Sequence, residues 1–333
     1  MDKNKQIDFL AIGDIVTEPF IKIDDVEVEC DSNGDDCKLS FRFGDKIPYK
    51  SAEEFRAFGN SPNAAVCASK LGLNTCLISY VGEDSVGRGN IEALVSNNVG
   101  IDYMETVPGM ISNYHYVLWH KTERTILVKH NEYPYSFPVD LPEPKWIYLS
   151  SLASNSLEYH NQIIKYLEKH PDVNLAFQPG TFQIKLGVQN LKEIYNRTQV
   201  LLCNKNEAQR ILKNKEEDDS VKLIKKLYNL GPEMVVMTDG SKGAYVYEGK
   251  NIWFLPAYPA KAVERTGAGD AFGSTFLSAL ILGKNIEEAL LWAGINAMSV
   301  IQEVGTQKGL LTKEKLEEYL NNLPEDYKVA KLK

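Results

Sequence analysis

Short, continuous apolar runs alternate with helical patterns along most of the chain. The stretch "IDFLAIG" reads as a first strand, "NAAVCASKLG" as a helix ending at Gly72, and "NTCLISYVG" as the next strand. "GRGNIEALVSNN" returns to the helical period. Further on, "KWIYLSSL", "VNLAFQP", "QVLLCN" and "EMVVMTDG" are apolar strands, separated by helical segments such as "LEYHNQIIKYLEKH" and "SVKLIKKLYNLG". Strands that are apolar throughout must be covered on both faces, and helices between them act as crossovers. The pattern therefore predicts an α/β fold: a doubly wound, mostly parallel central sheet with helices on both faces.

Two stretches break this rhythm. Residues 21–49 and 111–130 alternate apolar and polar positions, as half-exposed strands do. "SNGDD" is a turn signal between two of them. Such strands do not fit inside a sandwiched parallel sheet, so they are expected to form a small β-sheet of their own. We read it as a lid built from segments of about 17–50 and 108–132, inserted in a single domain spanning 1–333. A β-arm or a dimerisation surface is the competing reading, and a homodimer through the lid is compatible with both. The acid-rich run from Asp24 to Asp36 reads as a solvated edge.

Composition narrows the class. The 333 residues are 44% hydrophobic and 25% charged, enough to bury a sizeable core, and the net charge of −8 argues against a nucleic-acid partner. No run is long and apolar enough to span a bilayer, and the first residues lack the apolar core of a signal peptide, so a cytoplasmic protein with no membrane partner is expected. The cysteines Cys30, Cys37, Cys67, Cys76 and Cys203 form no C-x-x-C pair and read as buried or free thiols. A bridge between Cys30 and Cys37 across a hairpin is geometrically allowed but disfavoured in a reducing compartment.

Candidate chemistry sits in "VERTGAGDAFGSTFLSALILG", residues 263–283. Small residues at Gly267, Ala268 and Gly269 stand where a helix begins, and a helix N-terminus presents unpaired N–H groups to an anion. Asp270 in the first turn would repel that anion. It makes sense as a base that takes a proton from an attacking hydroxyl, which points to phosphoryl transfer. Ordinary helix capping is the competing reading. The other nucleotide motifs are missing: there is no G-x-x-x-x-G-K-[ST], and no G-x-G-x-x-G after the first strand.

"TGAGDAFGSTFLSAL" closely resembles the C-terminal signature of the PfkB (ribokinase-like) carbohydrate kinases. "FGNSPNAAVCASKLGLNTCLISYVGEDSVGRG" resembles their N-terminal signature, and "NKNE" and "TDGSKGA" between the two resemble further elements of that family. The resemblance implies a ribokinase-like fold with a lid, ATP as co-substrate and Mg2+ as cofactor. It implies that Asp270 is the catalytic base and that the backbone of Gly267, Ala268, Gly269 and Asp270 is the anion hole. Asn204 and Glu207 are implied near the triphosphate and the magnesium, Glu207 acting through water. Thr238, Gly240 and Gly243, with Asn296 and Gly305, are implied at the nucleotide. Gly59 and Asn63 match a substrate-binding element, here preceded by Phe58 where the family usually has a second glycine. Glu18 takes the place of a sugar-gripping aspartate, and Asp14, Asn60 and Asn131 complete the candidate acceptor pocket, with His130 beside it. Glu264 stands where many relatives carry an aspartate and some bind a monovalent cation, which leaves K+ as a candidate.

The resemblance implies a kinase of a small sugar. A nucleoside kinase on the same scaffold and a non-catalytic sugar- or nucleotide-binding regulator are the alternatives. Because Asp14, Glu18, Asn60 and Asn63 would repel or ignore a phosphorylated acceptor, a neutral polyol is expected. Lys121, Arg124 and Lys129 of the second lid segment are read as mainly solvent-facing.

Overall fold

The computed structural model describes residues 6–30, 37–121 and 123–332. In chain order the elements are β1 (Phe9–Ile12), β2 (Val16–Lys22), β3 (Glu27–Cys30), β4 (Cys37–Ser40), β5 (Ser51–Phe58), α1 (Asn60–Lys70), β6 (Thr75–Gly82), α2 (Ser85–Ser96), β7 (Gly100–Val107), β8 (Tyr116–His120), β9 (Glu123–Leu127) and β10 (Trp146–Leu149). There follow α3 (Leu157–Lys169), β11 (Asn174–Phe177), α4 (Thr181–Leu186), α5 (Lys192–Arg197), β12 (Val200–Asn204), α6 (Lys205–Ile211), α7 (Ser220–Tyr228), β13 (Met234–Thr238), β14 (Ala244–Tyr247), β15 (Ile252–Leu255), α8 (Ala268–Ile281), α9 (Ile286–Val300), α10 (Lys313–Leu320) and β16 (Ala330–Leu332).

Among the described residues, ten strands form one sheet in the order β16-β15-β14-β13-β12-β11-β10-β1-β6-β7. The run from β13 to β7 is parallel, and β14, β15 and β16 close one side antiparallel. Alternate side chains of each strand serve opposite faces. On β1, Phe9 and Ala11 enter a core shared with residues of α1, α8 and α9, whereas Leu10 and Ile12 enter a second core shared with α3, α5 and α7. That two-sided burial is what the continuous apolar strands require. The strands β7 and β16 were not legible in advance, since Asp102, Glu105 and Thr106 interrupt the apolar residues of β7 and β16 has three residues at an edge.

The sheet positions the site through its topology. β1 lies between β6, which follows it, and β10, so the winding reverses beside β1. Open α/β sheets bind ligands outside the strand carboxyl ends at such a reversal. Asp14 follows β1, Ser151 follows β10 and Gln178 follows β11, while Asn204 ends β12 and Thr238 ends β13.

The lid is a second sheet, β5-β2-β8-β9, with its own small core of Val16, Phe20, Phe55, Phe58 and Val117. Its composition corrects the expected boundaries. β5 belongs to it although the sequence reading ended the first segment at residue 50, because Phe55 and Phe58 stack with ring centroids 5.0 Å apart and Phe20 packs edge-on to Phe55. Among the described residues, β3 and β4 pair only with each other, as a separate, largely exposed hairpin. The expected "SNGDD" turn lies outside the described residues. A second correction concerns the thiols: Cys30 and Cys37 face each other in the hairpin register, 4.0 Å apart at Cα, and form a disulfide. Cys67, Cys76 and Cys203 are buried free thiols, as expected. No helix among the described residues is long and apolar enough to cross a membrane.

Candidate active site

The helix α8 begins without a side-chain cap. Its N-cap, Gly267, has φ 77°, a left-handed conformation, and a Cβ there would lie 2.6 Å from the Thr306 Cβ. Glycine is thus required on two counts. Two residues on, Gly269 is exposed, and a Cβ built there would meet nothing within 4 Å. The first N–H groups of α8 have no partner inside the helix, and a helix start of this kind is able to receive an anion.

Asp270 is held by three side-chain amides. Asn60 Nδ2 donates to Oδ1 at 2.7 Å, Gln178 Nε2 to Oδ1 at 2.9 Å, and Asn63 Nδ2 to Oδ2 at 2.9 Å. The amides are themselves fixed. Ser151 donates to Asn60 Oδ1 at 2.7 Å, Thr306 donates to Asn63 Oδ1 at 2.8 Å, and the Tyr148 hydroxyl donates to Gln178 Oε1. A carboxylate oxygen can accept two hydrogen bonds, so Oδ1 is filled and Oδ2 keeps one position for a substrate hydroxyl. Enclosure by the protein raises the pKa of Asp270, and the amides of Asn63, Asn60 and Gln178 oppose that rise.

A cavity of about 330 Å³ adjoins this carboxylate, lined by Glu18, Gly59, Asn60, Asn63, Gln178 and Asp270 among others. A second, of about 790 Å³, meets it at Asn204, Thr238 and Gly269 and runs along Gly240, Gly243 and Tyr258. Asn204 and Glu207 cap α6 reciprocally: Asn204 Oδ1 accepts the Glu207 N–H at 2.8 Å, and Glu207 Oε2 accepts the Asn204 N–H at 2.9 Å. Glu207 is nonetheless at the cavity wall, and its enclosure, with the charge of Asp270 adding, lifts its pKa to about 6. Among the described residues no group of three or more His, Cys, Asp or Glu could hold a metal by itself.

The remaining candidates are dispersed. Glu18 lines the smaller cavity and accepts from His115 Nδ1 at 3.2 Å. Asp14 is buried and already engaged by His130 Nε2 at 2.6 Å and by the Tyr135 hydroxyl at 2.7 Å. Asn131 turns to the Ile111 carbonyl and Asn113, bracing its own loop. Asn296 is fully buried and donates to Thr275 while accepting the Leu311 N–H, so it ties α9 to α8 and lines neither cavity. Gly305, with φ 89°, packs on the Phe55 ring and lines neither cavity. Glu264 is buried, accepts from the Thr266 N–H at 2.6 Å, and has Arg124 Nη1 at 3.7 Å. Phe58 belongs to the lid core, and Gly59 alone takes the positive φ, at 114°, that the turn into α1 demands.

Two positions at the cavity walls are not among the sequence candidates. Gln178 had one usable signal, its place at the carboxyl end of an apolar strand. Arg124, expected to be mainly solvent-facing, instead lines both cavities, where the lid sheet docks on the core.

Residues 20–313 match the sequence profile of the pfkB family carbohydrate kinases. The chain belongs to that family and is a ribokinase-like sugar or nucleoside kinase, a phosphotransferase. It is 26% identical to a ribokinase of Bacillus subtilis over 269 residues, covering 79% of this chain and 87% of that one. To a nucleoside kinase of Methanocaldococcus jannaschii it is 28% identical over 278 residues, covering 79% and 84%. The fold matches the structure of Arabidopsis thaliana ribokinase complexed with ribose and ATP, with a TM-score of 0.77 at 20% identity over 95% of this chain and 99% of that one.

Proposed function

We propose that this kinase moves the γ-phosphoryl group of ATP to a hydroxyl of a small, uncharged sugar. Asp270 takes the hydroxyl proton, and the backbone N–H groups of Gly267, Ala268, Gly269 and Asp270 receive the transferring phosphoryl group. The observation that carries this reading is the carboxylate of Asp270, presented beside an uncapped helix start with one lone-pair position left open on Oδ2. The acceptor would lie in the smaller cavity against Glu18, Asn60 and Asn63, whose fixed polar groups suit hydroxyls. Asp14 supports that pocket from beneath through His130 and Tyr135. The triphosphate would lie in the larger cavity along Asn204, Thr238, Gly240 and Gly243.

The donor set suits a magnesium ion carried mainly by the nucleotide: Glu207 offers a carboxylate at the cavity wall, and the described residues form no protein cage. Bound there, it would neutralise phosphate charge. For potassium, the only support is the buried Oε2 of Glu264, which has no partner among the described residues. Lid closure over the acceptor would exclude water. The exposed Tyr116, Leu127 and Val128 of the lid favour a homodimer through its outer face.

A nucleoside acceptor is the second reading, supported by the Methanocaldococcus jannaschii relative. ATP consumption measured against a panel of pentoses, hexoses, nucleosides and sugar monophosphates separates the two. Turnover of a neutral sugar supports the proposal, and turnover of nucleosides alone replaces it. ATP binding without turnover of any acceptor leaves a regulator.

A further inference from the structure

The tripeptide Glu-Arg-Thr occurs in two places that meet in space: at 123–125 on β9 of the lid, and at 264–266 just before α8. Their charges are exchanged. Arg124 Nη1 lies 3.7 Å from Glu264 Oε1, and Arg265 Nη1 lies 3.3 Å from Glu123 Oε1. Lid and anion-hole loop are thus joined by two crossed ion pairs. The outer pair, Arg265 with Glu123, is solvent-exposed and on its own contributes little.

The inner pair differs. Glu264 is 1% exposed and Arg124 30%. At 3.7 Å their contact is too long for a hydrogen bond, let alone the two-pronged fork an arginine makes with a carboxylate. Glu264 Oε1 is taken by the N–H and hydroxyl of Thr266, and its Oε2 is buried with no partner among the described residues. Arg124 Nε is likewise buried with no hydrogen-bond partner among the described residues. A half-satisfied buried pair is costly, and a guanidinium offers five donors in a plane. Arg124 lines both cavities, the smaller together with Gly269 and Asp270, and among the described residues its one recorded ion pair is the loose contact with Glu264. Its charge also reaches Asp270, favouring the ionised carboxylate.

We propose that Arg124 is a catalytic residue carried by the lid: with donor bound, its guanidinium turns from Glu264 and forks onto the transferring phosphoryl group, while the Glu123–Arg265 pair holds β9 in place. This rests on the phosphoryl-transfer reading above. In the step itself, the acceptor oxygen forms a bond to the γ-phosphorus, the bond from phosphorus to the bridging oxygen of ADP breaks, and the hydroxyl proton passes to Asp270. Arg124 neutralises the equatorial oxygens throughout and itself gains or loses no proton. Glu264 then has a second task, to park the arginine when the cavity holds no phosphate.

Arg124→Ala, Arg124→Lys and Glu264→Gln test this, with steady-state kinetics and with calorimetric affinities for ADP and for the non-hydrolysable analogue AMP-PNP, both with magnesium. Arg124→Ala is expected to lower kcat about 10²–10³-fold and to erase about tenfold of any preference for AMP-PNP over ADP, with its melting temperature near wild type. Arg124→Lys is expected to recover part of kcat, since a point charge cannot fork. Glu264→Gln removes the charge that parks the arginine while its amide oxygen still accepts from Thr266, and is expected to lower kcat less than Arg124→Ala does. If Arg124→Ala keeps wild-type kcat and the wild-type AMP-PNP to ADP ratio, or loses no more than Glu264→Gln does, the proposal is overturned. Should the wild-type chain phosphorylate no acceptor, the functional reading fails, and the AMP-PNP to ADP ratio of Arg124→Ala still decides the arginine's contact.

Discussion

Asp270→Asn isolates the proton-transfer step. The substitution keeps the shape of the side chain but removes its capacity to take a proton. The carbonyl oxygen of the new amide can replace Oδ1 and accept from Asn60 and Gln178; its NH2 then faces the Asn63 Nδ2, donor against donor, where Oδ2 accepted at 2.9 Å. One unsatisfied contact of this kind costs about 1–3 kcal/mol. Against it stands the relief of an enclosed charge, because enclosure raises the pKa of Asp270. The net change in stability is therefore small at neutral pH, while kcat is expected to fall about 10²–10⁴-fold, equivalent to about 2.7–5.4 kcal/mol of barrier. Nucleotide affinity should hold within about threefold, because the anion hole is backbone. Since folding raises the pKa, the native state binds the proton more tightly than the unfolded chain does. The stabilisation this brings is complete below the ordinary aspartate range and is lost as pH climbs through the raised value. The melting temperature of the Asn variant relative to wild type should accordingly improve from acid toward neutral pH, and the acid limb of the wild-type kcat profile should vanish in the variant. Stopped-time assays of phosphorylated product across pH 4–9, paired with thermal melts, measure both. Turnover of the variant within tenfold of wild type would refute the assignment of Asp270 as the base.

Three further substitutions follow from the same geometry. Gly267→Ala places a Cβ 2.6 Å from Thr306 at φ 77°, so chemical denaturation should show a loss of at least about 1–3 kcal/mol, with the KM for ATP raised. Gln178→Ala removes one of the two donors on Asp270 Oδ1 and strands the Tyr148 hydroxyl; a loss of about 1–3 kcal/mol in urea unfolding and roughly a tenfold drop in kcat are expected, and an unchanged kcat would show that Gln178 does not orient the base. Glu18→Gln should raise the acceptor's KM about tenfold while kcat and the KM for ATP stay within a factor of three; an equal change in the ATP constant would place Glu18 outside the acceptor pocket.

The strand-and-helix order, the two-sided burial of the central sheet and the glycine-led, uncapped start of α8 could be read along the chain, because each depends on neighbours within a few residues. Continuous apolar runs demand cover on both faces wherever they end up, and a Gly-Ala-Gly start leaves helix N–H groups open in any fold. The proposed base was a candidate for the same reason: Asp270 stands in the first turn of α8, next in sequence to Gly267, Ala268 and Gly269. What surrounds it was not. Asn60, Asn63 and Gln178 come from two other elements and converge on one carboxylate only because β1, β10 and β11 end side by side at the reversal of the winding. Asn296 and Gly305 lay close in sequence to the expected nucleotide wall, yet the packing of α9 on α8 and of Phe55 on Gly305 turned both to structural duty. The partition of the lid rests on the pairing of β2 with β5 and the edge-on packing of Phe20 against Phe55, far apart in sequence, which no local pattern encodes. Arg124 shows the same limit most sharply. Alternation along β9 establishes that its neighbours face opposite ways, but which face meets the anion hole is set by how the lid sheet docks on the core, and only the tertiary structure carries that information.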